Sequence, residues 1–275
     1  PSKRRLSMPV ARSPVAARAK LSQSGSVKTL IALSCVVTAC SSSPLESSPQ
    51  GGLSGGAAGT SSSAGAAGGE PVFTDSCSAA RAQQFGALET VANGAVQVLD
   101  DAAGVKTLYL DATAGGQNGS ATHPWLFIAL STGTKVEVSD VTSLQSVTWD
   151  LAFKRASIYV NGGEGGPGMG ASAFLDKDFA SVTRADATSA DFISEEFFDD
   201  DCNPIVDVTG VPSTSFSTWY NYDPATHVLS PVSGTWLVRG ATGKLFKLRF
   251  ESYYATPSGG MGSASGAYLL EIGAL

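Results

Sequence analysis

The sequence predicts an all-β fold: a single antiparallel domain with little helix, following a disordered N-terminal tether. Three observations predict it. From about Phe73 to Leu275 the chain is built of short runs rich in Val, Leu, Ile, Phe and Tyr, punctuated by Gly, Asn and Asp. Leu245, Lys247 and Arg249 alternate with Phe246, Leu248 and Phe250, the period of a strand with one polar face. Ser41–Gly69 is dominated by Ser, Gly and Ala and has no aromatic residue, so it has too little apolar surface to offset the entropy of ordering.

Residues 1–39 read as a secretory signal. Seven basic residues (Lys3, Arg4, Arg5, Arg12, Arg18, Lys20 and Lys28) precede the first acidic one, Glu46, and lead into the apolar run Leu30–Ala39. That run is shorter than the roughly 20 apolar residues a membrane-spanning helix needs. Val37-Thr38-Ala39-Cys40 places small residues before a cysteine, as in the bacterial lipobox, which makes Cys40 the expected lipidation site. Residues 40–72 then form a lipidated cysteine and flexible linker, and 73–275 the folded domain, held to a bacterial membrane by its anchor. Outer-membrane or cell-surface placement is the expectation.

With Cys35 in the signal and Cys40 acylated, Cys77 and Cys202 are the two cysteines of the domain. Outside the cytoplasm two cysteines most often pair; free thiols or a thiolate metal ligand are the alternatives. Loss of the seven N-terminal basic residues leaves 11 Lys and Arg against 24 Asp and Glu, a formal charge of about −13. Such a surface repels nucleic acid and anionic lipid.

The domain's elements follow in order. Cys77–Leu88 carries good helix formers, enough for a turn or two. Strands are expected at Ala95–Leu99, Lys106–Asp111, Trp125–Leu130 and Lys135–Val138, the last two joined by a turn at Thr132-Gly133-Thr134. Leu151, Phe153, Ile158 and Val160 suit a half-buried sheet. Six glycines between Gly162 and Gly170 interrupt them before Ala171–Leu175 resumes as a short strand. Trp219–Tyr222 is an aromatic strand entering a turn at Asp223-Pro224. Gly234–Tyr254 is a hairpin turning at Ala241-Thr242-Gly243, and Ala267–Ile272 is the last strand.

Several motifs lack the context their chemistry needs. Gly52-Leu-Ser-Gly-Gly56 matches a serine-hydrolase elbow but lies in the tether, with no strand before it or helix after it. Gly163-Glu-Gly-Gly-Pro-Gly168 matches a dinucleotide loop, yet a strand rather than a helix follows. Glu195, Glu196, Asp199, Asp200 and Asp201 offer oxygens to Ca²⁺ without the spacing of a calcium loop; a solvated acidic loop is the plainer reading. Two histidines assemble no nucleophile, base and orienting group, so the chain is not expected to be an enzyme.

Two blocks carry a family resemblance. Trp-Asp-Leu-Ala-Phe-Lys-Arg (149–155) with Ile-Tyr-Val-Asn-Gly-Gly-Glu-Gly-Gly-Pro-Gly-Met-Gly (158–170) is the first. The second runs from Trp219-Tyr220-x-Tyr222 to Trp236-Leu-Val-Arg-Gly-x-x-Gly-Lys-x-x-Lys-Leu-Arg-Phe-x-Ser-Tyr-Tyr254. Together they resemble the HmuY family of bacterial surface lipoproteins, over about Leu108 to Leu275. The resemblance implies a β domain that binds haem or a related porphyrin without catalysis, gripped between two histidines: one between the blocks, one just after the aromatic strand. Asp176–Thr218 contains no histidine. His227 matches the second position, while His123 matches neither; Met169 and Met261 are thioethers that iron accepts. The ligand candidates are therefore His227, His123 and Met169, with Trp219, Tyr220 and Tyr222 against the porphyrin, and no metal beyond haem iron. Each has a plainer reading, as a solvated loop residue for the first three and as core for the aromatics, Trp236 included. A family member that has lost haem and serves as a structural or protein-interaction module is the alternative. A calcium-dependent adhesion domain stands further behind.

Overall fold

The computed structural model describes residues 76–85, 87–207 and 210–275. The expected signal, Cys40, the linker and the Gly52–Gly56 motif lie outside the described residues. Among these no helix is long and apolar enough to cross a membrane.

Two antiparallel sheets face each other across one core. The larger has the order β1 (Val96–Ala102), β2 (Val105–Asp111), β12 (Ala267–Ala274), β11 (Leu245–Ser252), β10 (Thr235–Arg239), β7 (Ala171–Leu175). The smaller has the order β4 (Thr134–Val136), β3 (Leu126–Ala129), β5 (Leu151–Lys154), β6 (Ser157–Val160). Alternation decides which side chains meet. Leu108, Leu110, Trp236, Val238, Leu248 and Ile272 from the large sheet pack in one cluster with Leu126, Ile128, Leu151, Phe153, Ile158 and Val160 from the small one. The alternation expected along β11 is borne out, with Phe246, Leu248 and Phe250 buried and the intervening side chains half-buried. Lys247 and Arg249, on the opposite face, lie over the ring of Phe179.

Departures from expectation are local. β10 is covered on both faces, because Leu237 packs outward with Ala173, Val182 and Ala187. The last of these belongs to α3 (Arg184–Ser189), a helix that the sequence reading left as loop and that Thr183 and Asp186 start as a reciprocal cap. Ser139 and Thr142 cap the short α2 (Asp140–Ser143) in the same way. The aromatic strand joins neither large sheet; β8 (Tyr220–Asp223) and β9 (Val228–Pro231) form a separate two-stranded hairpin.

The expected helix is present as α1 (Ser78–Phe85), and the disulfide Cys77–Cys202 fastens its start, with Cα atoms 5.4 Å apart. Phe85, Trp125, Trp149, Tyr159, Phe197 and Phe198 make a second, aromatic cluster beneath it. Arg81 sits over the rings of Phe197 and Phe198.

The glycine loop after β6 is shaped by Asn161, which is fully buried. Its Nδ2 donates to the carbonyls of Ser146 and Trp149, both at 2.8 Å, and its Oδ1 accepts from Gly168 N at 3.0 Å. The loop returns so closely over it that a Cβ at Gly170 would lie 2.4 Å from the Asn161 carbonyl oxygen, and one at Gly166 2.4 Å from Oδ1.

Two predictions follow from this packing. Replacing Cys77 and Cys202 together by Ser removes a link across 125 residues and is expected to cost about 2–5 kcal/mol, read from urea unfolding. Asn161→Ala orphans two carbonyls and an amide and is expected to cost about 3 kcal/mol or more, whereas surface Asn203→Ala should stay within about 1 kcal/mol.

Candidate functional site

Residues of the β5–β6 turn, the β8–β9 hairpin, α1 and the 207–217 segment converge on an open groove of about 1280 Å³. Phe216 and Tyr253 are buried in its base, Tyr220, Tyr254 and Leu229 are half-buried along it, and Tyr222 and His227 stand exposed at the hairpin end. Such a mixture of aromatic wall and few polar groups suits a ligand with large flat faces.

Trp219 positions this assembly. It is 1% exposed and packs on Tyr220, Phe250, Tyr253 and Tyr268, with ring centroids 4.9–5.6 Å away. Its Nε1 donates to the Ala156 carbonyl in the β5–β6 turn at 2.8 Å, and its own carbonyl accepts from Val232 N at 2.9 Å, just past β9. The two turns that border the groove are thus pinned by one indole. Leu229 N donates to the Tyr254 hydroxyl at 3.0 Å and holds the hairpin to the end of β11.

The hairpin loop is built around Asp223, whose carboxylate accepts from Ala225 N and the Thr226 hydroxyl at 2.9 and 2.7 Å. Hydrogen bonding holds the Asp223 carboxyl below its ordinary range. The loop closes with His227 at φ 57°, its N donating to the Asp223 carbonyl at 2.8 Å. A non-glycine residue there is strained by about 1 kcal/mol or more. The His227 Nδ1 is hydrogen-bonded to the Tyr222 hydroxyl. With Nδ1–H donating to that oxygen, Nε2 presents its lone pair.

The other expected site residues lie elsewhere. His123 is exposed, and its Nδ1 donates to the Gly119 carbonyl at 2.7 Å while the ring covers Gly115. Met169 is 58% exposed beside Gly243, at the β10–β11 turn, and its amide is held by Ala241. Neither lines the groove with His227. Met261 is exposed, with its sulfur near the Ser252 hydroxyl. Tyr220 and Tyr222 do line the groove; Trp219 and Trp236 are core. Among the described residues no cluster of three His, Cys, Asp or Glu side chains forms a metal site.

The acidic run is not a row of solvated carboxylates either. Glu195 is buried: Oε1 accepts from Val160 N and the Ser215 hydroxyl at 2.9 and 2.7 Å, and Oε2 from Ser215 N at 2.9 Å. It thereby holds the segment that carries Thr214, Phe216 and Ser217 along the groove. Burial raises its carboxyl to about 7 against the pull of those three hydrogen bonds. Asp140, beneath Trp125, is raised to about 6 for the same reason. Burial also lifts Tyr253 to about 12 and raises Tyr220, so both phenols stay protonated at neutral pH. Period and composition do not reveal an inward-turned glutamate in an acidic stretch; Ile193, Phe197 and Phe198 around it were the available signal.

An antiparallel two-sheet scaffold with an open, aromatic-walled groove is a binding architecture, with its polar groups set on turns rather than in a closed catalytic pocket. The chain belongs to the HmuY family, whose description, HmuY protein, matches residues 121–268. It is similar to a solved structure from Bacteroides fragilis described as a lipoprotein (21% identity, 65% of this chain and 93% of that chain, TM-score 0.41). It is also similar to one from Bacteroides vulgatus described as an HmuY-like haem-binding protein (19%, 65% and 96%, TM-score 0.40). A third is the apo form of the HmuY analogue of Tannerella forsythia (14%, 63% and 99%, TM-score 0.39). No curated protein matches the sequence.

The two raised carboxyls have a consequence for stability. Glu195 rises from 4.5 to about 7 and Asp140 from 3.8 to about 6, so the folded state holds protons that the unfolded chain releases. Stability is therefore expected to be fullest below about pH 4.5 as far as these groups are concerned, and to fall as pH rises to 7, by at most about 1.4 kcal/mol per unit for each group. Urea midpoints at pH 5 and pH 7.5 test this; Glu195→Gln should flatten most of the difference.

Proposed function

We propose that this chain is an exported, lipid-anchored surface protein that binds haem or a related porphyrin non-catalytically in the groove between the β5–β6 turn and the β8–β9 hairpin. In this reading residues 1–39 are the signal, Cys40 carries the lipid, 40–72 are the linker and 73–275 the binding domain, at the outer membrane or cell surface. The observation that carries it is His227, an exposed imidazole held by Tyr222 in a left-handed turn at the end of an aromatic groove large enough for a tetrapyrrole. Haem supplies an iron that accepts imidazole nitrogen and a flat apolar face for aromatic walls. The donor set fits one such ligand. His123 and Met169 are turned to other partners, so a two-histidine grip is not part of the proposal.

That same observation favours a second reading: a family member that has given up haem and presents the groove or hairpin to a surface protein. Haemin titration of the full chain, followed in the Soret band, separates the two. The haem reading expects saturable one-to-one binding, weakened about tenfold or more in His227→Ala and unchanged in His123→Ala and Met169→Ala. No spectral change beyond free haemin at micromolar protein leaves the interaction module.

A further inference from the structure

Lys154 and Arg155 are adjacent in the β5–β6 turn, and both line the groove. We infer that they form a carboxylate-binding subsite there, so that the groove selects planar aromatic ligands carrying acid groups. The inference rests on the groove being the binding site and adds the class of ligand it accepts.

Three features of the two cations point to an absent anion. The first is their lack of counter-charge. Among the described residues no carboxylate comes within ion-pair distance of either, although acidic residues outnumber basic ones 24 to 18 over the whole chain and by more in the domain. The remaining basic side chains with printed ion pairs, Lys106, Lys135, Lys177 and Arg249, each have an acidic neighbour at 2.9 Å or less.

The second is their setting. Lys154 is half-buried with its Nζ 5.3 Å from the centre of the Trp125 ring. Burial lowers its pKa while Asp140, behind it, pulls the other way. Arg155 gives Nη2 to the Ser265 hydroxyl at 3.1 Å, and its Nη1 is without a hydrogen-bond partner. Desolvated donors of this kind gain most from a charged acceptor. Asp207 also lines the groove, and its charge acts on Tyr220.

The third is the backbone. Arg155 has φ 51°, a conformation that glycine adopts without cost. It is kept there by its N donating to the Ala112 carbonyl at 2.8 Å and by its carbonyl accepting from the Tyr268 hydroxyl. The strain brings a guanidinium to the groove at a position where the turn alone would favour glycine, just as the hairpin brings His227.

The test compares protoporphyrin IX, which has two free carboxylates, with its dimethyl ester, which has the same ring and none. Neither contains iron, so the result does not depend on His227 as a ligand. Both are titrated against the full chain by quenching of its tryptophans. The subsite predicts that the diacid binds about tenfold or more tighter than the ester, as one charge-assisted contact supplies. It further predicts that Lys154→Met with Arg155→Gly brings the two to within about threefold, mainly by weakening the diacid. Met keeps an apolar stem over Trp125 and Gly suits the left-handed turn, so an unchanged melting temperature checks that the double variant is folded. Equal binding of diacid and ester by the unaltered chain overturns the subsite and leaves the groove reading standing. Failure of diacid, ester and haemin alike to bind overturns the groove reading itself, and the subsite with it.

Discussion

A primary amide buried away from water must find partners for both its oxygen and its nitrogen, and Asn161 finds them in segments that share no local sequence. Its nitrogen holds the carbonyls of Ser146 and Trp149, ahead of β5, and its oxygen holds Gly168 in the return of the glycine loop. The end of β6, the entry to β5 and the start of β7 are tied at one point. Because β7 pairs with β10, that point also links the small sheet to the large one. The glycines are dictated by this contact. Side chains at 166 and 170 would occupy space already taken by Asn161, so the loop is glycine-rich for close packing of backbone on amide rather than for flexibility or phosphate binding.

Buried carboxylates repeat the device. Asp150 accepts from Leu130 N and Ala241 N at 2.7 and 2.8 Å, joining the turns after β3 and β10. Glu164, in the glycine loop, accepts from the amides of Phe197 and Phe198. Glu195 accepts from Val160 and Ser215. In each case an acid satisfies backbone donors that no strand partner reaches, which is how irregular segments can be buried at all. The acidic composition therefore has two physical meanings. Part of it keeps the surface soluble, and part is internal scaffolding for loops.

The groove is mounted on that scaffold. Two turns carry its distinctive groups, and both place a functional-type side chain on a left-handed residue, Arg155 and His227. Trp219 clamps the turns together from below. Rigid support under exposed polar groups is what lets a small number of them orient a ligand. The same support explains why the indole of Trp219 is at work in the core and not against a ligand face.

The sequence by itself determined the antiparallel all-β class, most of the strands, the short first helix and the pairing partners Cys77 and Cys202, because these depend on local period, turn residues and cysteine arithmetic. It also marked the blocks that place the chain in the HmuY family, and it singled out His227. Only the tertiary structure decided which marked residues share a site. His227, Tyr220 and Tyr222 meet on one groove, whereas His123 and Met169 face other neighbours, since separation along a chain says nothing about which ends of a sandwich two turns occupy. Glu195 looked like one of a row of exposed acids, and Lys154 and Arg155 like ordinary turn cations. Their roles depend on burial and on the absence of nearby counter-charge, which three-dimensional packing creates and local sequence does not encode.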